Sequence, residues 1–174
     1  MVHRINSDLA NDLGNLLQRT LSMLNKYYDG TIPEPGSEQD ADAALANTAK
    51  ALIDNLDNML DELAFSKLLS NIWELISQAN RYIAEQAPGA LYKEGSQERL
   101  SRVLFTLLES LYTIALLIYP YMPATAQQMW EQLGIEEVLG KQRLNQNSAW
   151  GNITAGTKIN QANVLFPKIE VLSL

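Results

Sequence analysis

Apolar residues recur at intervals of three and four along most of the chain, the spacing that places them on one face of an α-helix. The first run predicts a helix from Arg4 to Lys26. Residues 27–40, with the sequence YYDGTIPEPGSEQD, then interrupt the pattern with glycines and prolines that do not continue a helix. A second helix is predicted from about Asp40 to Leu63, and a third is expected to begin near Phe65.

The second half of the chain continues this helical pattern. Pro88 and Gly89 are predicted to end the third helix. A fourth helix is expected after YKEGSQER, with Ser96 as a candidate N-cap, and continues to Tyr119. A short fifth helix, ATAQQMWEQLG, ends at Gly134, a residue type that commonly terminates helices.

Beyond Gly140 the composition changes to asparagine, glutamine, glycine and threonine, without helical spacing. The sequence therefore predicts an all-α fold: a bundle of about five helices in residues 1–140, followed by an extended C-terminal arm in residues 141–174. Short extended pieces are expected around residues 164–166.

The segment from Val103 to Met122 is apolar enough to resemble a membrane span, which needs about 20 such residues. Its interior contains Glu109 and Ser110, and Pro120 ends the run. A helix that is apolar on all sides is also what the centre of a bundle requires. We therefore expect a buried central helix and no membrane partner.

Composition limits the size of the core and the kinds of site that the chain can form. The 174 residues are 47% hydrophobic and can bury one sizeable core; the formal net charge is −7, and cysteine is absent. The N-terminus lacks a secretory signal, which favours a location in the cytoplasm. The NIT sequence at Asn152 is therefore expected to match the N-glycosylation pattern by chance.

Most catalytic arrangements are excluded because His3 is the only histidine. HExxH zinc sites and di-iron bundles each need two histidines, and a serine triad needs one within the fold, whereas His3 lies near a terminus. The carboxylates along the second helix are expected to form a solvated face, and GNITAGTK lacks the adjacent Gly-Lys of a phosphate loop. We predict no catalytic residue and no metal ligand in this segment.

A polar stripe on the first predicted helix remains as a candidate functional site. Asn11, Asn15 and Arg19 follow one another at four-residue spacing, opposite the leucines of the first helix. Asparagine is a weak helix former, so two of them beside Gly14 are more than a solvating face requires. Amides and guanidinium groups read the edges of unpaired bases. An ordinary polar surface, or an acidic helical protein-interaction module that meets a basic partner, remains an alternative.

Five phrases in order carry a family resemblance: RINSDLANDLGNLLQRT, NRYIAEQAP, LYKEG, YPYMPATAQQMWEQLG and LFPKIE. Together, from Arg4 to Glu170, they resemble the anticodon-binding domain of bacterial-type methionyl-tRNA synthetase. The resemblance implies a helical bundle after a catalytic domain, with the arm folding back toward that domain. HIGH-like and KMSKS-like motifs are absent, so the segment itself is expected to be non-catalytic and to bind no cofactor.

The resemblance also implies partners and roles. Asn11, Asn15 and Arg19 match the family's Asn-x3-Asn-x3-Arg series, which recognises the wobble cytosine of the CAU anticodon. The expected partners are the methionine tRNA, the initiator tRNA and the catalytic domain of the same parent chain. That parent would be an aminoacyl-tRNA ligase of protein biosynthesis that uses ATP and can bind zinc.

Gly89 departs from the family pattern, because a stacking tryptophan is expected at this position. Base stacking on an aromatic ring contributes about 1–3 kcal/mol, so its loss would weaken RNA binding, and Gly89→Trp is expected to strengthen it. Tyr92 and Tyr82 are candidates to supply the missing ring. Among the tryptophans, Trp73 and Trp130 are expected in the core, and Trp150 is expected under the arm.

Overall fold

The computed structural model describes the backbone of residues 2–55, 62–135 and 150–159, and the side chains of residues 11–55, 66–135 and 150–159. These parts contain six α-helices and no strand longer than a single bridge. The helices are α1 (Val2–Tyr28), α2 (Asp40–Asp54), α3 (Glu62–Gln86), α4 (Pro88–Glu94), α5 (Gln97–Ile118) and α6 (Pro123–Gln132). The predicted all-α fold class is confirmed.

Helix α4 is the element that the sequence pattern missed. As predicted, α3 ends before Pro88 and Gly89, but this pair also begins the new helix. Ala87 adopts a left-handed conformation, with φ 46°, and turns the chain between the two helices. Proline suits the first helical position because its missing N–H would have no partner there.

Other helix boundaries differ from the predicted ones by a few residues. Residues 56–61, where the predicted second helix would continue, lie outside the described part of the chain, and Leu63 belongs to α3, not to α2 as predicted. Ser96 does occupy the N-cap position of α5, but its side chain makes no capping hydrogen bond. Gly134 follows α6 with φ +79°, as expected of a helix terminator.

Helix α5 is the centre of the bundle. Every residue from Val103 to Ile118 is buried except the half-buried Phe105. The helix is long and apolar enough to cross a membrane, but 89% of its most apolar window is buried inside the protein. The prediction of a buried central helix is therefore confirmed.

The inner face of α1 packs against α3 and α5. Its five buried leucines are each at most 3% exposed: Leu13, Leu16, Leu17, Leu21 and Leu24. Burial of a leucine contributes about 2 kcal/mol, whereas the glycine and two asparagines of this helix together cost about 2 kcal/mol in helix propensity. Packing therefore outweighs local propensity and fixes which face of α1 meets solvent.

A buried carboxylate joins three helices near their ends. Asp42 of α2, 2% exposed, accepts two hydrogen bonds from Arg99 of α5, at 2.6 and 2.9 Å, and one from the hydroxyl of Tyr82 in α3. The backbone N–H of Gln39 donates to the same carboxylate at 2.8 Å. Arg99 also donates to Gln86 at 2.6 Å. The ends of α2, α3 and α5 are thereby held together.

These contacts shift the pKa of each partner. Burial opposes ionisation of Asp42, but the hydrogen bonds from Arg99, Tyr82 and Gln39 outweigh it and lower the pKa of the carboxyl group. Burial, followed by the hydrogen bond to Asp42, raises the pKa of the Tyr82 hydroxyl well above its usual value. The network is therefore a carboxylate with a neutral phenol and a cationic guanidinium at neutral pH.

Residues 150–159 pack against the bundle. Their backbone bonds to the loop after α1, where the Ile32 N–H donates to Thr157 at 2.9 Å and the Ile159 N–H donates to Gly30 at 2.8 Å. Ile153 and Ile159 join the core, and Trp150 is half-buried against it. Residues 164–166 lie outside the described part, and the division into residues 1–140 and 141–174 stays a prediction.

Glu109 anchors this segment from inside the bundle. Its fully buried carboxylate accepts hydrogen bonds from the backbone N–H groups of Gly151, Asn152 and Ile153, at 3.1, 3.3 and 2.8 Å. Burial raises the pKa of this carboxyl group despite the three donors. A polar residue in the middle of the most apolar helix is explained by these contacts.

We predict that Asp42→Asn lowers the free energy of unfolding by about 3 kcal/mol at neutral pH, because Arg99 loses its charged partner. The folded-state pKa of Asp42 lies below that of the unfolded chain, so this stabilisation is complete above about pH 4 and is lost as the pH falls through the folded-state pKa. Urea unfolding at several pH values measures it. If the difference in free energy of unfolding between the wild-type protein and Asp42→Asn stays constant from neutral pH to pH 3, this account is contradicted.

Candidate nucleic-acid interface

The predicted polar stripe lies on the solvent side of α1. Asn11, Asn15 and Arg19 are all exposed. Successive members are four residues apart, so each lies about 6 Å further along the helix axis. No residue in the described part of the chain hydrogen-bonds to these side chains. Within the described residues, two carboxamides and one guanidinium are therefore without a partner and can meet a ligand.

The stripe continues toward the end of α1. Lys26, seven residues after Arg19, lies on the same face about two turns further on and is exposed. Its Nζ lies 5.6 Å from the centre of the Tyr27 ring. This exposed face therefore carries two cations although the chain has a formal net charge of −7.

Asp12, the residue after the first member of the stripe, contacts α3. The indole N–H of Trp73 donates to the Asp12 carboxylate at 2.9 Å, and the Asn80 side chain donates to the Asp12 carbonyl at 3.3 Å. These bonds hold α1 against α3 beside Asn11. Asp12 thus serves to position the helix that carries the stripe.

The core prediction for Trp73 is wrong, because the residue is 37% exposed. The buried face of α3 is formed by Ile72, Leu75, Ile76 and Ala79, and position 73 lies about 100° from Ile72 on the helix, at the edge of that face. An indole suits such an edge because its ring packs while its N–H reaches a polar partner. Trp130, in contrast, is fully buried as predicted.

Gly89 lies at the start of α4, beside the end of α1. A Cβ built on this residue would lie 3.7 Å from the hydroxyl oxygen of Tyr27, an ordinary contact distance. Gly89 does not have a positive φ angle. Neither space nor backbone conformation therefore requires glycine here, and the α1 residue that a side chain at this position would meet is Tyr27, about two turns after Arg19.

The two tyrosines proposed to replace a missing ring have different environments. Tyr82 is buried and hydrogen-bonded to Asp42, so the suggestion that it faces a ligand is wrong. Tyr92 on α4 is 44% exposed and stacks on Tyr27, with ring centres 4.4 Å apart and an angle of 23° between the planes. The sequence alone did not indicate Tyr27, because its partner lies 65 residues away.

Comparison with known proteins places these features in a family. Residues 32–172 match the family model described as the anticodon binding domain of methionyl tRNA ligase. This match begins after α1, whereas the individual relatives align with 97–98% of the chain and so extend over the stripe.

Two curated relatives illustrate the similarity. The methionine--tRNA ligase of Caldanaerobacter subterraneus subsp. tengcongensis is 45% identical over 172 residues, which are 98% of this chain and 26% of that protein. The enzyme of the same name from Bacillus subtilis is 41% identical over 176 residues, covering 97% of this chain and 26% of its own length. The chain thus spans about a quarter of the length of the curated relatives it matches.

Solved structures agree with the sequence matches. The free form of Mycobacterium tuberculosis methionyl-tRNA synthetase superposes with a TM-score of 0.80 at 41% identity, over 95% of this chain and 33% of that one. The same enzyme in complex with methionyl-adenylate superposes with a TM-score of 0.81 at 39% identity, over 96% of this chain and 33% of that one.

We predict that Asn15→Ala raises the free energy of unfolding by about 0.5 kcal/mol, because alanine has the higher helix propensity and the exposed amide has no hydrogen bond to another described residue. Thermal and urea unfolding measure this change. A lower stability of the variant would show that Asn15 is bound to neighbouring helices and is unavailable to a ligand.

Proposed function

The chain belongs to the family of anticodon-binding domains of methionyl-tRNA ligases, and we propose that the polar stripe of α1 recognises the CAU anticodon of methionine tRNAs. Asn11, Asn15 and Arg19 would contact the wobble cytosine. The observation that carries this proposal is the exposure of all three side chains on one helix face, without partners in the described part of the chain.

The donors and acceptors of these side chains suit an unpaired cytosine. Cytosine presents an amino donor beside acceptor atoms on its pairing edge, so a carboxamide that both donates and accepts can pair with it. The guanidinium of Arg19 offers a planar set of donors that can bond to a base or stack on it. A guanidinium that donates to N3 would distinguish cytosine from uracil, because the N3 of uracil carries a hydrogen and is a donor, whereas a carboxamide can turn over and pair with either base.

The electrostatics favour a short, local contact. A protein with a net charge of −7 is unsuited to binding a long stretch of phosphate backbone. Arg19 and Lys26 nevertheless give α1 a cationic stripe on its exposed face. We therefore expect the domain to contact the anticodon loop and to rely on base contacts for its specificity.

The same proposal covers the parent enzyme. We assign the chain to a cytoplasmic methionine-tRNA ligase that uses ATP, in line with the methionyl-adenylate bound to its Mycobacterium tuberculosis relative. The catalytic domain of that parent chain and the methionine and initiator tRNAs would be its partners, and the C-terminal arm would pack toward the catalytic domain. Zinc, where the parent enzyme binds it, would lie outside this segment.

An acidic protein-interaction module is the competing function, and neither the fold nor the relatives favour it. We predict that Arg19→Ala weakens binding of a CAU anticodon hairpin by about 1–3 kcal/mol, a rise in Kd of roughly 5- to 150-fold. The reason is the loss of a base contact, because Arg19 has no structural partner in the described part of the chain. Fluorescence anisotropy with a labelled hairpin measures this effect.

Lys50→Ala is the matched control. Lys50 is exposed on α2, which packs against α3 and α5, and its removal changes the net charge by the same amount. The wild-type protein should bind a hairpin with uracil at the wobble position more weakly than the CAU hairpin. The Arg19→Ala variant should bind the two hairpins about equally. Equal weakening by both variants, or equal affinity for both hairpins, would refute recognition of the wobble base.

A further inference from the structure

Residues 150–159 form a strap that lies between the loop after α1 and the end of α6. Three backbone N–H groups link the strap to that loop: Ile32 donates to Thr157 at 2.9 Å, Gly156 donates to Ile32 at 2.8 Å, and Ile159 donates to Gly30 at 2.8 Å. Between these bonds, one residue of the loop and one of the strap pair as an antiparallel bridge, Thr31 with Lys158. The strap is therefore a hydrogen-bonding partner of the whole loop.

The loop that the strap binds also closes the end of α1. The Gly30 N–H donates to the Leu24 carbonyl at 3.2 Å, and the Thr31 N–H donates to the Tyr28 carbonyl at 3.0 Å. These bonds satisfy carbonyl groups that the last turns of a helix leave without an intrahelical partner. Lys26, a cation of the exposed face of α1, lies four residues before Gly30. The position of Lys26 therefore depends on the backbone that the strap binds.

Glu109 of α5 binds the first part of the strap. Its fully buried carboxylate accepts the backbone hydrogen bonds of residues 151–153. A buried carboxylate is costly unless donors surround it. Here the strap supplies three such donors, so the burial of Glu109 and the docking of the strap depend on each other.

Gly134, which follows α6, gives the strap a close backbone contact. A Cβ built on Gly134 would lie 2.6 Å from the carbonyl oxygen of Lys158 and 3.4 Å from the Cα of Ile159. The backbone of the strap therefore occupies space that a side chain at position 134 would need. Glu109 and Gly134 thus offer two independent ways to displace the strap by substitution.

We propose that Glu109 is a positioning residue for RNA binding, which acts through the strap on the end of α1 that carries Lys26. This inference rests on the proposed function, because it concerns the same RNA, and it assigns to Lys26 a contact with a phosphate of the anticodon hairpin. When the strap is displaced, the RNA must order the last turn of α1 on binding, so affinity falls.

Recognition of the wobble base does not depend on the strap. Arg19 lies nine residues before the end of α1 at Tyr28, about 13 Å along the helix axis. The buried leucines hold this part of α1 against α3 and α5. Displacement of the strap therefore lowers affinity without changing the preference for cytosine over uracil.

Amide hydrogen exchange of the ¹⁵N-labelled chain tests whether the strap fixes the end of α1. Glu109→Gln replaces one acceptor oxygen with an amino group that faces donors, and Gly134→Ala inserts a Cβ against the strap backbone. In both variants, the amides of Gly30, Ile32 and Ile159 should exchange faster by about tenfold or more. Amides in the centre of α5 should stay protected, which verifies that the bundle is folded.

Each variant has a matched control in this exchange experiment. Ser110→Ala changes the residue after Glu109, whose hydroxyl donates to the Thr106 carbonyl within α5 at 2.8 Å. Gly95→Ala imposes similar backbone strain to Gly134→Ala, because φ is +77° at Gly95 and +79° at Gly134, but a Cβ there has no described neighbour within 4 Å. Both controls should leave the exchange of the loop and strap amides unchanged.

Binding of the CAU hairpin measures the effect on RNA. Loss of one phosphate contact lowers the salt dependence, the slope of log K against log salt, by about 0.7 and raises Kd about fivefold at about 0.1 M salt. We expect this for Lys26→Ala, and a rise in Kd of about two- to fivefold for Glu109→Gln and for Gly134→Ala. Adding Glu109→Gln to Lys26→Ala should cause no further rise, because both changes remove the same contact.

The ratio of affinities for the cytosine and uracil hairpins provides the readout that general damage to the fold would change. It should equal the wild-type ratio in Glu109→Gln and fall to about one in Arg19→Ala. Loss of this ratio in Glu109→Gln, or additive weakening in the double variant, would refute positioning through Lys26.

Failure of this inference can be distinguished from failure of the proposed function. If the strap amides exchange faster in Glu109→Gln while affinity for the hairpin stays at the wild-type value, positioning is refuted and recognition of the wobble base stands. Unchanged exchange in both Glu109→Gln and Gly134→Ala would also refute it. A wild-type protein that does not bind the hairpin would overturn both proposals.

Discussion

Burial of one leucine face of α1 is the interaction on which the candidate site depends. Five leucines between Leu13 and Leu24 are inserted against α3 and α5, and their burial far exceeds the cost of placing Gly14 and two asparagines in a helix. Rotation of α1 about its axis would expose these leucines. The helix therefore has one allowed orientation, in which Asn11, Asn15 and Arg19 face solvent.

The buried carboxylate of Asp42 plays the corresponding role at the other end of the interface. By accepting hydrogen bonds from Tyr82 and Arg99, it fixes the end of α3 relative to α5. Helix α4 begins two residues after α3 ends, so the position of Tyr92 follows from this network. The stripe and the tyrosine pair are thus carried by rigid parts of the bundle, a requirement for reading a base by its shape and hydrogen bonds.

The sequence predicted the features that depend on helical period. The helices other than α4, the burial of α5 and the exposed side of α1 follow from residues that are close in sequence. Features that depend on contacts between distant residues could not be predicted: the Tyr27 and Tyr92 stack, the contact of Trp73 with Asp12, and the burial of Tyr82 against Asp42. Helix α4 was missed because proline and glycine end helices more often than they begin them, and the left-handed Ala87 gives no sequence signal.

The most direct test of this account is a titration of ¹⁵N-labelled protein with a CAU anticodon hairpin, followed through the side-chain amide signals of Asn11 and Asn15 in NMR spectra. If the stripe reads the wobble cytosine, both signals shift in a saturable manner, and the shifts shrink when that cytosine is replaced by uracil. If the hairpin binds while both amide signals stay unchanged, the RNA contacts another surface and the account is contradicted.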